Sequence, residues 1–248
     1  MNILLSNDDG IYSPGLQNLA KKLKKTFNVQ VIAPNYDRSG ISNALTVNSP
    51  LSIHRFSNGD ITVISGTPAD CAYLGINVFM NPKPDFIISG INLGSNLGDD
   101  IFYSGTIAAA REGRELKYSS FAISLDGRRH ISSAVKITYR LLGAFFKNPF
   151  KKRYIFNINI PDLPLKNIRG FKITKLGKHT TKHKVIKQKN PKNNKIFWIG
   201  KNSKIYKKSS KTDFYAIQNG YISVTPLSLD LTSHGEIETV SNWFDINI

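Results

Sequence analysis

Over the first 160 residues, short apolar runs alternate with helix-like stretches, which predicts a parallel sheet covered by helices on both faces. Ile3–Ser6 reads as the first strand, and Ser13-Pro14 opens a helix with a capping residue and a proline at its first position. Val29–Ala33 and Ile61–Ser65 follow as strands. Thr67-Pro68-Ala69-Asp70 has the form of a capping box with Asp replacing Glu or Gln, and Cys71, Leu74 and Val78 fall on one face of the helix it starts. Asp85–Ser89, Phe121–Leu125 and Tyr154–Ile160 complete the strands, with helices over Ser104–Leu116 and Ser132–Phe146.

After Pro161 the long helical period is lost and turn signals such as Asn190-Pro191 and Asn193-Asn194 appear. Ile173–Ile199 reads as an extended, hairpin-like arm and Gly220–Pro226 as a strand returning to the main body. The expected organisation is a doubly wound α/β domain over residues 1–162 and a β-rich, basic segment over 163–248 that packs back on it. An arm so poor in apolar runs cannot bury a core alone, so it lies along the body or against another subunit.

At 248 residues with 40% hydrophobic and 21% charged residues, the chain buries an ordinary core, which excludes a disordered or fibrous protein. No apolar run approaches the roughly 20 residues of a membrane span, and polar Ser6-Asn7-Asp8-Asp9 comes too early for a signal peptide. The lone Cys71 forms no intrachain disulfide and fits a reducing compartment; a cytoplasmic protein is expected. The net charge of +17 is local: Lys147–Lys211 holds 20 Lys and Arg against the single acid Asp162. Lys, Asn and Ile are all abundant, so the excess reads first as a solvated, composition-driven surface and second as a polyanion-binding patch.

Ligands of doubly wound sheets sit beyond the carboxyl ends of the strands, and three unusual polar loops should meet there. They are Asn7-Asp8-Asp9-Gly10, the stretch from Asn35 to Asn43, and Ser89-Gly90-Ile91-Asn92 through Asn96-Leu97-Gly98. Two adjacent carboxylates stand where a dinucleotide fold would carry Gly-x-Gly-x-x-Gly, and no P-loop occurs. Asp8 and Asp9 would repel a phosphate alone and attract it through a divalent cation. The oxygen-only ligand supply suits Mg²⁺, Mn²⁺ or Ca²⁺. Tyr103-Ser104-Gly105-Thr106 opens a helix whose cap and free amides form an anion cradle. A cation at one end and a phosphate cradle at the other describe a phosphoester hydrolase.

These stretches, with Arg38-Ser39-Gly40, Gly66-Thr67-Pro68-Ala69-Asp70-Cys71, Asp99-Asp100 and Gly220-Tyr221-Ile222-Ser223-Val224-Thr225-Pro226-Leu227, resemble the SurE family along almost the whole chain. The resemblance implies a Rossmann-like domain and a C-terminal arm exchanged between subunits of a homodimer or homotetramer. It implies a nucleotidase acting on nucleoside 5′- and 3′-monophosphates, and on short polyphosphate, with one divalent ion per subunit, Mg²⁺ or Mn²⁺. Carried over residue by residue, it makes Asp8, Asp9, Ser39 and Asn92 the metal ligands. Asn96 and Ser104 would contact phosphate, with amides from Gly105 and Thr106, and Asp8, Asp9, Asn96 and Ser104 would form the catalytic set. The sequence departs from the family at Asn190-Pro191-Lys192-Asn193 and at His179, both in the arm.

Of the remaining candidates, His179 and His183 read as a solvated pair in a Lys-rich stretch, and His54 and His130 have no partner visible in sequence. His234 follows Asp230 by four residues and reads as a structural ion pair, while Asp99 and Asp100 read as loop caps before the Ser104 helix. The competing function is a basic protein that binds RNA or polyphosphate through Lys147–Lys211, or an enzyme whose arm adds weak polyanion binding.

Overall fold

The structure, a computed structural model, describes residues 1–179, 184–200 and 209–247. The amino-terminal elements are β1 (Asn2–Ser6), α1 (Pro14–Leu23), β2 (Asn28–Pro34), β3 (Ser52–Arg55), β4 (Ile61–Ile64), α2 (Pro68–Leu74) and β5 (Phe86–Leu93). Then come α3 (Gly105–Glu112), β6 (Ser120–Asp126), α4 (Ile131–Lys147), β7 (Ile155–Pro161) and β8 (Phe171–Ile173). The chain continues through β9 (Val185–Lys189), β10 (Lys195–Ile199), α5 (Asp213–Gln218), β11 (Ile222–Leu227) and α6 (Ile237–Asn247).

Nine strands form one sheet in the order β3-β4-β2-β1-β5-β6-β7-β11-β8. The six from β4 to β7 are parallel, with Ile3 beside Val29 on one side and beside Phe86 on the other. The chain winds outward from β1 to β4, then restarts at β5 and winds the other way to β7, so the switch point lies between β1 and β5. Alternation along β1 sorts the two layers. Ile3 and Leu5 join α1 and α4 through Leu16, Leu19, Ile137 and Phe145. Leu4 faces the opposite layer, packing with Cys71 and Ala72 of α2 and Ala109 of α3. The doubly wound α/β reading is therefore observed, and Cys71 is buried as expected.

Several expectations change. β3 is an edge strand with every residue exposed, so no apolar run announced it. The helix opened by the Thr67/Asp70 capping box ends at Leu74, and a π-helical turn over Gly75–Phe79 follows. That turn carries Val78 off the buried face, leaving it 60% exposed. The Ser104 helix stops at Glu112, with a 3₁₀ turn over Gly113–Glu115. Beyond Pro161 the chain is less uniform than a β arm: β8 joins the main sheet beside β11, β9 and β10 pair as a separate antiparallel hairpin, and α5 and α6 are helical. β11 is the returning strand, antiparallel to β7. Among the described residues, no helix is long and apolar enough to cross a membrane.

Candidate active site

The turn after β1 is closed by Asn7, whose Nδ2 donates to the Gly10 carbonyl at 3.0 Å, and Gly10 takes φ +94°. That turn presents Asp8 and Asp9 at the switch point. Asp8 is 4% exposed, and its Oδ1 accepts a 2.6 Å hydrogen bond from the Thr106 hydroxyl. Asp9 Oδ2 accepts from the Leu93 amide at 2.9 Å and from Ser13 Oγ at 3.4 Å. Burial pushes the Asp8 carboxyl up to about 6 despite the Thr106 hydrogen bond, and the neighbouring Asp9 charge adds to the rise. Burial raises Asp9 as well, against its bond from Leu93. No salt bridge reaches either among the described residues. Two adjacent desolvated carboxylates without a bonded cation are costly as anions, and a bound divalent ion removes that cost.

The loop after β2 is tied to this turn by the Arg38 amide, which donates to the Asp8 carbonyl at 2.8 Å. The Ser39 amide and hydroxyl both donate to Asp37 Oδ1, at 2.7 and 2.6 Å, which leaves the Ser39 oxygen lone pairs available. Further along, the Ser42 amide and hydroxyl hold the Tyr103 and Phe102 carbonyls, and the Thr46 amide and hydroxyl hold Asp70. After β5, Asn92 spends its Nδ2 on the Gly94 carbonyl at 2.6 Å, so its Oδ1 remains an acceptor. Asp8, Asp9, Ser39 and Asn92 thus each keep an oxygen acceptor in the loops beyond the strand ends, the donor type a hard divalent cation takes. Among the described residues, no group of three or more His, Cys, Asp or Glu is placed to hold a metal ion.

Ser104 caps α3, its Oγ accepting from the Ile107 amide at 3.1 Å, and the first-turn amides of Gly105 and Thr106 lie at the positive end of the helix. A Cβ on Gly105 would meet Asp8 Cβ at 2.8 Å and Asp8 Oδ2 at 3.1 Å. The carboxylate therefore packs directly against the first turn of α3. Asn96 stands behind both, with Nδ2 donating to Ser124 Oγ at 2.8 Å and to Thr106 Oγ1 at 3.3 Å.

The family described as Survival protein SurE matches residues 3–183. The chain belongs to the SurE family. A SurE relative from Wigglesworthia glossinidia brevipalpis, named 5'/3'-nucleotidase SurE, is 65% identical over 99% of this chain and 98% of its own. One of the same name from Salmonella paratyphi A is 50% identical, covering 99% and 97%. The crystal structure of the SurE protein from Aquifex aeolicus superposes with a TM-score of 0.87 at 38% identity, covering 98% of this chain and 99% of that one.

Of the other candidate residues in this SurE chain, the His234–Asp230 pair is found as expected, and His179, Asp100 and His130 sit differently. His179 is not solvated: its side chain is 10% exposed, its Nε2 pairs with Asp100 at 3.2 Å, and its ring packs edge-on against Phe214. Asp100 therefore pairs with the arm, and Ser104 itself supplies the helix cap. His130 finds Asp162, whose carboxylate also accepts from the amides of Arg128, Arg129 and His130. His234 and Asp230 form an exposed pair at 2.6 Å, and His54 packs on Phe56. His183 lies outside the described residues. One further residue of the site loops, seen in the sequence only within Arg38-Ser39-Gly40, is a candidate for the site. Arg38 is the single basic residue in the three loops, and it stacks 4.1 Å over the Tyr36 ring. Its Nε is buried without a hydrogen-bond partner. The signal was present in the sequence as one cation among Asp8, Asp9, Asp37, Asp99 and Asp100.

Proposed function

We propose that this chain is a divalent-metal-dependent nucleotidase that hydrolyses the phosphomonoester of nucleoside 5′- and 3′-monophosphates. The observation that carries the reading is the contact between the two half-sites: Asp8 Oδ2 abuts Gly105 at the mouth of the α3 amides. A cation held by Asp8, Asp9, Ser39 and Asn92 would neutralise charge on the phosphoryl oxygens and lower the pKa of water. Mg²⁺ or Mn²⁺ suits these donors, one ion per subunit. The chain's own groups do the rest. The Gly105 and Thr106 amides and the Ser104 hydroxyl bind phosphate, and Asn96 gives up its longer bond to Thr106 for a phosphate oxygen. The Arg38 guanidinium, whose buried Nε has no hydrogen-bond partner among the described residues, meets the dianion's remaining charge. Thr106 holds one oxygen of Asp8, which would leave the other for the cation. Asp8 or Asp9 orients the attacking water in line with the leaving oxygen.

The same reading extends to the assembly. Residues 1–162 form the catalytic domain and 163–248 the arm and oligomerisation segment of a cytoplasmic homodimer or homotetramer, with the C-terminal part exchanged between subunits. It is supported by the exposed Ile237, Val240, Trp243 and Phe244 of α6 and by the β9–β10 hairpin, which exposes Phe197, Trp198 and Ile199. A two-stranded hairpin is marginal without a partner surface. Lys184, Lys187, Lys189, Lys192 and Lys195 on and around that hairpin favour a second reading, weak binding of RNA or polyphosphate, with short polyphosphate as a further substrate.

Phosphate release from AMP, 3′-AMP and an aryl phosphate with Mn²⁺ or Mg²⁺, with and without EDTA, tests the first reading. Metal-dependent release that disappears in Asp8→Asn supports it. No release from any substrate by protein that binds the metal overturns it. Polyanion binding would instead survive EDTA and fall steeply with salt.

A further inference from the structure

β7 is an interior strand of the sheet, between β6 and β11, yet it carries two amides, Asn157 and Asn159, both 0% exposed. Its alternation separates them from the apolar face: Phe156, Ile158 and Ile160 join the core under α1 and α4, while the amides share the opposite face with Ile155. Burying two amides is expensive unless every hydrogen bond is made, so their partners disclose what they hold.

The partners converge on Asn96. Asn159 Oδ1 accepts from the Asn96 amide at 2.8 Å, and the Asn96 carbonyl accepts from Asn159 Nδ2 at 3.0 Å and Asn157 Nδ2 at 2.9 Å. Asn159 Nδ2 also reaches Asn157 Oδ1 at 3.2 Å, locking the pair together. Both backbone polar groups of one loop residue are thus clamped by side chains 61 and 63 positions away. The side chain of Asn96 is fixed in turn by Ser124, which neighbours Asn159 in the strand register. Donor directions are determined along the line: Asn96 Nδ2 donates to Thr106 Oγ1, so the Thr106 hydroxyl hydrogen is directed to Asp8 Oδ1.

We infer that Asn157 and Asn159 are positioning residues of the phosphate site, with Ser124 as their side-chain counterpart, and that they set where Asn96 and Thr106 meet the phosphate. This rests on the nucleotidase reading above. None of the three touches substrate; each acts through Asn96. Between the end of β5 at Leu93 and the 3₁₀ turn that begins at Gly98 the chain has no regular structure; Gly94 and Gly98 are held at its ends by the Leu125 carbonyl and Asp213, and the clamp fixes Asn96 itself to the tolerance that phosphoryl transfer demands.

The test uses the full-length protein with Asn159→Ala, Asn157→Ala and Ser124→Ala. For each, kcat and KM for AMP at saturating Mn²⁺, the inhibition constant of inorganic phosphate, the Mn²⁺ half-saturation and the melting temperature are measured. Asn159→Ala is expected to raise KM and the phosphate inhibition constant together by roughly 10- to 100-fold. Mn²⁺ half-saturation should change less than KM, because the clamp bonds none of the proposed ligands directly and reaches Asp8 only through Asn96 and Thr106. Ser124→Ala, a smaller deletion that leaves the backbone clamp intact, should show the same signature at about 3- to 10-fold. Folded variants with unchanged KM and phosphate inhibition, or with metal affinity lost instead, overturn the inference. If the two Asn variants do not fold, Ser124→Ala decides alone. A wild-type protein that releases no phosphate from any nucleotide would overturn the nucleotidase reading itself, an outcome separate from any variant's behaviour.

Discussion

Gly105→Ala probes the contact on which the site depends. The new methyl would sit 2.8 Å from Asp8 Cβ and 2.9 Å from Pro68 Cγ, against ordinary van der Waals contact at 3.4 Å and beyond. Relief requires Asp8, Pro68 or the start of α3 to move by roughly 0.6 Å, and overpacking of this kind costs about 1–3 kcal/mol. If the shift falls on Asp8, the cation and the phosphate cradle separate, and misplacement on this scale costs roughly 10- to 100-fold in turnover. The melting temperature should fall by only about 3–10 °C, since 1 kcal/mol is worth about 2–4 °C in a chain of this size. The control is Gly143→Ala on the exposed face of α4, where a Cβ meets nothing within 4 Å. It should leave activity unchanged and stabilise the protein by up to about 1 kcal/mol. Both variants are assayed for metal-dependent phosphate release and by thermal melting. Activity of Gly105→Ala within twofold of wild type, in a folded protein, would refute the claim that the two half-sites must touch as they do here.

In the metal-free protein, Asp8 is protonated more tightly when folded than when unfolded, so its ionisation costs stability as pH rises from about 4 through about 6. The cost is about 3 kcal/mol above that window, and Asp8→Asn removes it; urea unfolding in chelator at pH 4.5 and pH 7.5 reads the difference. Asp162 behaves oppositely. Burial raises it, but the amides of Arg129, His130 and Arg128 and the His130 ring together hold it down to about 2. Its stabilisation is complete above the ordinary carboxylate range and is lost as pH falls toward 2, and Asp162→Ala should lower the melting temperature at pH 7 by a few degrees and flatten the acid limb. Arg38→Ala should raise KM for nucleotides about 10- to 100-fold with metal half-saturation unchanged, and Arg38→Lys should restore part of it. An unchanged KM would remove Arg38 from the site.

The parallel strands from β1 to β7 were legible because strands buried on both faces read as unbroken apolar runs. β3, β8 and α5 were not, since four exposed residues, three edge residues and a six-residue helix leave no period to count. Asp8, Asp9, Asn92, Asn96 and the Ser104–Thr106 turn stood out as polar clusters at strand ends. Ser39 and Arg38 depend on how a long loop folds back, which the Asp8 carbonyl and Asp70 decide from 30 and 24 residues away. Asn157 and Asn159 were hidden in plain alternation: Ile155-Phe156-Asn157-Ile158-Asn159-Ile160 scores as core, although amides on every second position of a central strand announce a polar layer. The His130–Asp162 and His179–Asp100 pairs are long-range, and no local pattern encodes them.

The place of β11 in the sheet has a consequence for synthesis. β7 ends at Pro161, but the strand that closes its outer edge begins only at Ile222, 61 residues later. At roughly 5–20 residues per second, the nascent sheet waits about 3–12 s with an open hydrogen-bonding edge. An unpaired edge is a template for whichever strand arrives first. Until Ile222–Leu227 is made, β7 therefore presents a bare edge that only β11, antiparallel and in the register of Ser223 beside Asn159, closes in the finished fold.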